Sequence, residues 1–531
     1  MTASTTNADG HLARGASEVY RTLADLEKPC FVVRDDRGVG ATNDEGRVGG
    51  RAHVLAAVPP LSPVRLGSAG FLRDHWVDHP YMAGAMANGI ASADLVVALA
   101  RAGFLASFGA AGLVAHKVDA ALLDITRRTS GRPFACNLIH SPTEPAMERS
   151  TVDLCLRHEV RCVEASAFLD LTPQVVRYRL AGLSRDRDGG VRVGNRVIAK
   201  ISRPEVAERF LRPAPEPLVR ELLEAGQITA EQAELARRVP MADDVTAEAD
   251  SGGHTDRRPL PVLLPEIIAL RDRIRRETGL SVETRVGAAG GIGTPAAASA
   301  AFALGAAYVV TGSVNQASVE AGQSQATKRL LATAGASDCA MAPSADMFEL
   351  GVDVQVLQRG TMFATKAKRL YETYRAFDGI DDIPAADRSA LEDRIFLRPL
   401  EDVWDDTVKF FRERDPGQID RAESDPKRRM ALVFRWYLGL SSGWSITGDT
   451  GRVTDYQVWC GPAMGAFNDW VAGTYLAALE NRSVVDIAAN LVRGAAFASR
   501  VNQLRLAGVR LPAGCSTYLP TPPSAGGANP W

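Results

Sequence analysis

The sequence contains few of the residues that build metal sites or disulfide frameworks. Its 531 residues include only seven cysteines, with no Cys-x-x-Cys pair. We therefore expect no metal site. Scattered cysteines of this kind are typical of reduced, mostly buried thiols, which indicates a cytoplasmic location.

An excess of charge of either sign is also absent. The 61 basic and 63 acidic residues nearly cancel, and no block of lysine and arginine interleaved with aromatic residues occurs. Nucleic acid is therefore not an expected partner. With 46% hydrophobic and 23% charged residues, the chain has the composition of a soluble globular protein that buries a large core.

Long hydrophobic runs are equally scarce. Residues 1–18 are polar and lack the apolar segment of a secretory signal. The uncharged stretch at residues 286–319 is long enough to span a bilayer. It consists mainly of small residues and contains Pro295, Asn315 and Gln316, so its hydrophobicity is too low for a membrane helix. We expect neither a leader nor a membrane span.

Short apolar runs alternate with helical patterns through the first part of the chain. This alternation is expected of βα units around a parallel sheet, and the length suits a barrel-sized core with further parts attached. Eight strands are predicted, the number that closes a (β/α)8 TIM barrel, so we assign the chain to the α/β class. The predicted strands cover residues 65–70, 104–110, 133–139, 162–168, 197–202, 244–250, 285–290 and 307–311.

Interruptions of this alternation define the expected domains. An insertion at about residues 203–241 carries helical patterns, and it either covers the site as a lid or is purely structural. After residue 345, longer helical patterns replace the alternation. We therefore predict a partly disordered N-terminal extension (1–58), the barrel (59–344), an appended helical region (345–519) and a loose tail (520–531).

The appended region is predicted to be helical throughout. Its C-terminal helices are rich in tryptophan and phenylalanine, which is compatible with a homodimer. The predicted helices cover residues 362–377, 404–412, 428–438, 467–479 and 484–506.

The strongest local signal is a glycine-rich turn between a predicted strand and a predicted helix, at residues 287–295. Thr294 has the position of an N-cap and Pro295 that of the first helical residue. Glycines in such a turn let backbone N–H groups approach an anion, and the positive end of the helix dipole adds to the attraction. We therefore predict a phosphate-binding turn formed by Ala289, Gly290, Gly291 and Ile292.

A second glycine turn, Gly312-Ser313, follows the next predicted strand. Adjacent loops after the seventh and eighth strands form the usual phosphate site of a TIM barrel. The alternative is that these small residues only allow close packing of helix against strand. A P-loop is excluded because no Gly-Lys-Ser/Thr follows, and a Rossmann fingerprint is excluded because the motif lies late in the chain.

A histidine follows the predicted sixth strand, in the segment Asp250-Ser251-Gly252-Gly253-His254. A side chain at the carboxyl end of a barrel strand can lean over a group held by the phosphate loops, and histidine titrates near neutral pH. His254 is therefore the candidate proton donor. The alternative for a single loop histidine is a structural role.

Together these segments resemble the FMN-dependent TIM barrels of the nitronate monooxygenase and flavin enoyl reductase superfamily. The resemblance rests on the Ala-Ala-Gly-Gly-Ile turn, the Gly312-Ser313 turn and the segment that ends in His254. It implies that His254 is the catalytic histidine and that FMN is the cofactor. Asp250-Ser251 stands where the family has Glu-Ala.

A closer resemblance is to the trans-acting enoyl reductases, including the PfaD proteins of polyunsaturated fatty acid synthases. It runs from about residue 59 to 512 and rests on segments 66–71, 136–142, 340–349 and 459–468. It implies reduction of an α,β-unsaturated thioester on an acyl carrier protein, with NADPH or NADH as the hydride donor, in polyketide or polyunsaturated fatty acid biosynthesis.

The same resemblance implies further contacts to the cofactor. Gly67, Ser68 and Asn137 are assigned to the region of the flavin ring, and Lys200 to its electron-rich edge. Gly252 and Gly253 complete the cofactor set. His140 is a second candidate near the mouth of the barrel and ranks below His254 because the superfamily motif falls on the latter.

Two other functions stay open at this point. A nitronate-type oxygenase would use oxygen and need no nicotinamide, and the long helical region argues against it. A non-enzymatic component of a synthase would have lost His254 or the glycine turns, and both are retained.

Overall fold

A computed structural model of the protein describes residues 12–48, 53–140, 145–414 and 416–522, in which sixteen β-strands and twenty α-helices occur. The strands are β1 (Cys30–Asp35), β2 (Gly38–Thr42), β3 (His53–Val58), β4 (Tyr81–Ala83), β5 (Leu105–Phe108), β6 (Ala135–Ile139), β7 (Cys162–Ser166), β8 (Leu183–Arg185), β9 (Val191–Val193), β10 (Arg196–Ile201), β11 (Asp244–Glu248), β12 (Gly253–His254), β13 (Arg285–Ala289), β14 (Val309–Thr311), β15 (Cys339–Pro343) and β16 (Asp353–Leu357). The helices are α1 (Ala16–Ala24), α2 (Ala69–His75), α3 (Ala93–Arg101), α4 (Ala115–Thr129), α5 (Pro145–Arg157), α6 (Pro173–Ala181), α7 (Pro204–Leu211), α8 (Glu216–Glu224), α9 (Ala230–Leu235), α10 (Leu260–Thr278), α11 (Pro295–Ala303), α12 (Ser313–Gln316), α13 (Gln325–Ala332), α14 (Phe363–Ala376), α15 (Ala385–Leu391), α16 (Leu400–Arg414), α17 (Pro416–Glu423), α18 (Pro426–Thr447), α19 (Ala463–Val471) and α20 (Val484–Leu506).

Eight of these strands form a closed parallel barrel. Around the ring the order is β4, β5, β6, β7, β10, β11, β13 and β14, and β14 closes it by pairing with β4. The strands are buried on both faces, as expected of a parallel sheet covered by helices. The predicted (β/α)8 TIM barrel is confirmed, and seven of the eight predicted strands coincide with barrel strands.

The predicted strand at residues 65–70 is wrong. A 3-10 turn at Pro63–Arg65 leads into α2, whose N-cap Ser68 accepts a hydrogen bond from Gly70 N at 3.2 Å. Phe71 of this helix stacks on Tyr308, with 4.2 Å between ring centroids, and fills the amino end of the barrel. A short apolar run alone does not distinguish a strand from a short buried helix. The first barrel strand is β4, which has only three residues.

The insertion after β10 forms the helices α7, α8 and α9. Helix α7 packs against α10 and β11, as a crossover helix of a βα unit does, whereas α8 and α9 pack against α6. No residue of this insertion lines the large cavity described below. The insertion is therefore part of the outer layer and not a lid.

Strands also occur where only helices were expected. β15 and β16 form an antiparallel pair, and β12 adds to it through His254, whose register partner is Val354. The predicted helices at 362–377, 404–412, 428–438 and 484–506 are confirmed, whereas the one at 467–479 ends at Val471 and is followed by 3-10 turns. Helices α14, α15, α16 and α18 share a second hydrophobic core around Phe348, Phe434 and Tyr437.

The last helix returns to the barrel. Helix α20 packs against α11 and α3, the helices that follow β13 and β4, and Ser499 Oγ lies 2.9 Å from Ser299 Oγ of α11. It therefore takes the position of the outer helix that belongs to the eighth strand. Residues 312–483, between β14 and α20, leave the barrel at the carboxyl end of its strands, the mouth of the barrel. This segment is called the excursion below.

The N-terminal segment packs on the same helix. Strands β1, β2 and β3 form an antiparallel sheet in the order β2-β1-β3, and with α1 they share a core with α20. The buried Arg500 guanidinium of α20 donates hydrogen bonds to five backbone carbonyls of this segment, those of Leu23, Asp25, Leu26, Lys28 and Pro59. Residues 12–48 and 53–58 thus have defined structure. Residues 1–11 and 49–52 lie outside the described residues, and so do residues 523–531, which make up most of the predicted tail.

No helix in the part of the chain that the structure describes combines the length and the hydrophobicity needed to cross a membrane. The uncharged stretch at residues 286–319 instead forms β13, β14 and the helices α11 and α12.

Candidate active site

A cavity of about 620 Å³ opens at the carboxyl end of the barrel strands. Its floor is formed by residues at or just after strand ends, among them Gly84, Lys200 and Glu248. One wall comes from the sheet of β12 and β16, and another from helices α16 and α18 of the excursion. The carboxyl end of the strands is where TIM-barrel enzymes carry their active sites.

Most of the predicted site residues come together in this cavity. The sequence places them in four separate βα units, and the barrel brings their strand ends to one mouth. The residues that line it are Lys200, Gly252, Gly253, His254, Ala289, Gly290, Gly291, Ile292, Gly312 and Ser313, together with the second candidate His140.

Gly67 and Ser68 do not line the cavity, and their assignment to the flavin ring is wrong. Ser68 N donates a hydrogen bond to Ala307 O at 2.8 Å, and a Cβ on Gly67 would lie 2.1 Å from the same oxygen. Ala307 precedes β14, so both residues lie at the amino end of the barrel, opposite the mouth. The error follows from the wrong first strand, since Gly84 and Met86 after β4 take the expected places.

Asn137 also lies outside the cavity lining. Its side chain is inside the barrel and buried, and Asn137 Nδ2 donates to Glu164 O (3.1 Å) and Ser166 Oγ (2.8 Å) of the neighbouring strand. The amide therefore ties β6 to β7 near the mouth. This is the structural role that a polar residue on a barrel strand can have, so its assignment as a cofactor contact is not supported by the geometry.

The first glycine turn has the geometry of an anion cradle. Thr294 caps α11 by accepting a hydrogen bond from Ala297 N at 3.2 Å, and Pro295 is the first helical residue, as predicted. Gly290 and Gly291 have φ of +85° and +70°, values that favour glycine. A Cβ on Gly290 would lie 2.5 Å from the backbone of Ala249, whereas one on Gly291 would meet no atom within 4 Å.

The second turn faces the same space. A Cβ on Gly312 would meet no atom within 4 Å, and Gly312 and Gly291 both line the cavity. Side chains at these two positions would thus project into the space where an anion held by both turns would lie. The paired turns fit the phosphate of a mononucleotide such as FMN.

A loop of the helical excursion locks the second turn in place. Ser313 Oγ accepts a hydrogen bond from Gly461 N at 3.0 Å, and Gln316 Nε2 donates to Trp459 O. Trp459 and Gly461 line the cavity as well. Sequence reasoning did not assign residues 459–461 to the site, although this segment carried part of the family resemblance.

His254 is positioned by an aspartate from a distant part of the chain. β12 holds its backbone against β16, and His254 Nε2 lies 3.1 Å from Asp346 Oδ1. Burial alone lowers the pKa of His254, but the hydrogen bond and negative charge of Asp346, together with Glu248, outweigh it, so the pKa is raised above 6.5. The surroundings of His254 therefore stabilise its imidazolium form relative to a free histidine.

The two residues that depart from the family pattern before His254 are both engaged by a single side chain. Gln355 Nε2 of β16 donates to Asp250 Oδ1 at 3.0 Å and to Ser251 O at 2.8 Å. Ser251 Oγ also lies 3.3 Å from Glu248 Oε1. The segment before the histidine is thus held by β16, and its different side chains are accommodated.

Lys200 lies between two carboxylates on the cavity floor. Its Nζ is 3.1 Å from Glu248 Oε1, and Glu164 is close enough to interact with it electrostatically. Burial lowers the pKa of Lys200, but these two negative charges outweigh it and raise the pKa above its usual value. Burial raises the pKa of Glu164, which accepts a hydrogen bond from Ala85 N at 2.7 Å. Lys200 therefore places a positive charge on the floor of the cavity.

His140 has a partner of its own. Its Nδ1 lies 2.9 Å from Glu148 Oε2, and its ring stacks on Phe168 with 5.3 Å between centroids. Glu148 also accepts a hydrogen bond from Thr172 Oγ1. These contacts orient His140, whose side chain lines the cavity together with that of His254. Among the residues described, no group of three or more His, Cys, Asp or Glu side chains is arranged to hold a metal ion.

Family models match two segments of the chain. Residues 10–60 match a model described as the N-terminal domain of the fatty acid synthase subunit PfaD, which corresponds to the sheet packed on α20. Residues 377–456 match a model described as the inserted helical domain of [acyl-carrier-protein] S-malonyltransferase, which corresponds to helices of the excursion.

Curated relatives match most of the chain. It is 49% identical over 490 residues to one of the subunits of the polyunsaturated fatty acid synthase of Thraustochytrium sp., a match that covers 91% of this chain and 32% of that protein. It is 46% identical over 475 residues to the polyketide biosynthesis protein PksE of Bacillus subtilis, a match that covers 89% of this chain and 60% of that protein. The chain thus spans less than two thirds of the length of these relatives.

A solved structure matches over most of the chain. The enoyl reductase domain of MlnA, from the macrolactin biosynthesis cluster of Bacillus amyloliquefaciens, has 37% sequence identity and a TM-score of 0.80, with 83% of this chain and 99% of that domain covered. The chain therefore belongs to the PfaD-like family of enoyl reductases.

Proposed function

We propose that the protein is an FMN-dependent, trans-acting enoyl reductase. It reduces the α,β-double bond of enoyl thioesters on an acyl carrier protein with NADPH or NADH, in polyketide or polyunsaturated fatty acid biosynthesis. The observation that carries this proposal is the position of His254, held by Asp346 at the rim of a cavity that also contains two facing glycine turns.

The proposed phosphate contacts are the backbone N–H groups of the two turns. Ala289 to Ile292 and Gly312-Ser313 would hold the phosphate, and the N-terminus of α11 would add a favourable dipole. Lys200 would stand beside the electron-rich edge of the ring, and Gly252 and Gly253 would let the backbone approach it. When bound, FMN would carry hydride from NAD(P)H to the β-carbon of the enoyl thioester.

The role proposed for His254 is to supply the second hydrogen. Hydride addition at the β-carbon leaves negative charge on the α-carbon and the thioester oxygen, and a proton must reach the α-carbon. Because Nε2 is engaged by Asp346, the other ring nitrogen, Nδ1, would donate that proton or a hydrogen bond to the oxygen. The raised pKa of His254 supports this role, since the protonated ring is the donor form.

The carrier protein is proposed as the partner for two reasons. The relatives that match the chain are components of polyunsaturated fatty acid and polyketide biosynthesis. The helices at residues 377–456 also resemble an inserted domain of an enzyme that acts on acyl carrier protein. These helices form part of the cavity wall, so a thioester delivered there would enter beside them.

The proposal is tested by an anaerobic titration of the purified protein. NADPH is expected to bleach the oxidised flavin absorbance, and crotonyl thioester on a carrier protein is expected to restore it. A flavin that NADPH leaves oxidised but a nitronate reduces would instead identify a nitronate oxygenase. Protein that contains no flavin and binds none on addition of FMN would contradict both activities.

A further inference from the structure

The two halves of the cavity differ in chemistry. The barrel half presents backbone turns, Lys200 and His254, whereas helices α16 and α18 of the excursion present an apolar patch of Phe410, Trp436 and Leu440, flanked by Arg435 and Ser442. The groups proposed to act on the double bond, His254 and the cofactor turns, lie in the barrel half. The apolar patch can therefore contact a part of the substrate that does not react.

The aromatic wall is attached to the catalytic side of the site. The rings of Phe410 and Trp436 lie 5.3 Å apart at an angle of 63°. Next to Trp436, Arg435 Nε donates to Ala345 O at 2.7 Å, and Ala345 precedes the aspartate that holds His254. The wall and the proton donor thus keep a fixed relation to each other.

Gly439 lies on the cavity face of this wall. It is one helical turn from Arg435 and adjacent to Leu440 within the 22-residue helix α18, and all three line the cavity. Its φ is not positive, and a Cβ would meet no atom within 4 Å, so neither backbone conformation nor helix packing requires glycine. Glycine in the middle of a helix destabilises it relative to alanine. The absent side chain widens the cavity beside the aromatic rings.

We propose that the acyl chain beyond the reacting double bond runs over Gly439 along the wall of Phe410 and Trp436, and that Gly439 sets the chain length the enzyme accepts. This inference rests on the proposed enoyl reductase activity. An apolar occupant suits these side chains, because each methylene buried from water favours binding by roughly fourfold. A polar nicotinamide or ribose would not match the apolar surface of Phe410, Trp436 and Leu440.

The test compares two variants of the same helix. Gly439→Leu fills the space beside the wall. Gly443→Leu is the matched control, because Gly443 lies one turn further, is exposed, has no atom within 4 Å of a built Cβ and does not line the cavity. The measurement is kcat/KM for octenoyl and crotonyl thioesters on the same carrier protein. Gly439→Leu is expected to lower the octenoyl-to-crotonyl ratio by roughly tenfold or more, while Gly443→Leu leaves the ratio unchanged.

Two results with the Gly439→Leu variant would contradict the inference. An unchanged octenoyl-to-crotonyl ratio in an active, folded Gly439→Leu protein would overturn the inference. So would a Gly439→Leu protein in which reduction of the flavin by NADPH is slowed as much as turnover of octenoyl thioester, because that result would place the nicotinamide at the wall. If Gly439→Leu does not fold, Gly439→Ala repeats the test with one methyl group in a position that favours helix. Failure of the wild type to reduce either thioester would instead overturn the proposed function.

Discussion

The two ends of the barrel differ in how their charged side chains are buried and paired. At the amino end, Arg285 Nε and Nη2 lie 2.6 and 2.9 Å from the two oxygens of the fully buried Asp244, and His75 Nε2 lies 2.6 Å from Asp244 Oδ2. At the mouth, His254 lies 3.1 Å from Asp346 and Lys200 lies 3.1 Å from Glu248, and their side chains keep 39% and 19% of their surface accessible. The charges at the amino end are buried among themselves, whereas the paired charges at the mouth also line the cavity.

The physical consequence is a division between stability and function. Burial raises the pKa of Asp244, but Arg285 and His75 outweigh it and hold the pKa far below its usual value. A group with a lowered pKa stabilises the fold above its ordinary value of 3.8, and that contribution is lost as the pH falls through the folded-state pKa. We therefore expect mutations at the amino end to change folding and mutations at the mouth to change chemistry.

The largest effect is expected for Arg285→Leu. This change leaves Asp244 buried with only His75 opposite it, and loss of one partner of a buried ion pair costs about 3–5 kcal/mol. Urea unfolding at pH 7 measures the free energy of unfolding. Arg73→Leu is the control at the same end, because Arg73 pairs with Asp74 but is 74% exposed, and it should cost less than about 1 kcal/mol. Equal losses in the two variants would contradict the account of the amino end.

A smaller effect is expected for Gly291→Ala at the mouth. A left-handed alanine costs about 1–2 kcal/mol of stability, and its methyl group would stand in the space assigned to the phosphate. Gly279→Ala is the matched control, because Gly279 caps α10 with φ +65° and open space around it but lies outside the cavity. Both variants should lose similar stability, whereas only Gly291→Ala should bind FMN about tenfold more weakly, a difference of about 1.4 kcal/mol. Titration of the apoprotein with FMN, followed by flavin fluorescence, measures the affinity. Equal FMN affinity in both variants would remove the phosphate from this turn.

The smallest effect is a pH shift in Asp346→Asn. Asp346 raises the pKa of His254, and a protonated donor is lost as the pH rises through that pKa. Replacement by asparagine should therefore move the alkaline limb of the rate of flavin reoxidation by crotonyl thioester to lower pH. Asp353→Asn, an exposed position on β16, is the control and should leave the limb in place. A limb that does not move in Asp346→Asn would show that another group supplies the proton.

The sequence reveals those parts of the site that depend on local pattern. Gly290, Gly291 and Thr294 lie within one turn, and their order of strand, glycines, N-cap and helix is readable without tertiary structure. The same reasoning failed at residues 65–70, because an apolar run before a short buried helix resembles a strand. That error transferred Gly67 and Ser68 from the amino end to the mouth.

Contacts between distant parts of the chain could not be predicted from the sequence. Asp346 is 92 residues from His254 in sequence, and Gly461 is 148 residues from Ser313. No local period or spacing connects such pairs, since the excursion between β14 and α20 brings them together only in the tertiary structure. For the same reason the sequence could not indicate that α20 is a barrel helix.

The most direct test of the central claim isolates His254 in one half-reaction. The protein is reduced with NADPH, and its reoxidation by crotonyl thioester is followed by stopped-flow absorbance in the wild type and in His254→Gln, with His140→Gln as the comparison. The account predicts that His254→Gln reoxidises at least about 100-fold more slowly, with far smaller effects on reduction by NADPH and in His140→Gln. Equal reoxidation in His254→Gln and wild type would contradict it.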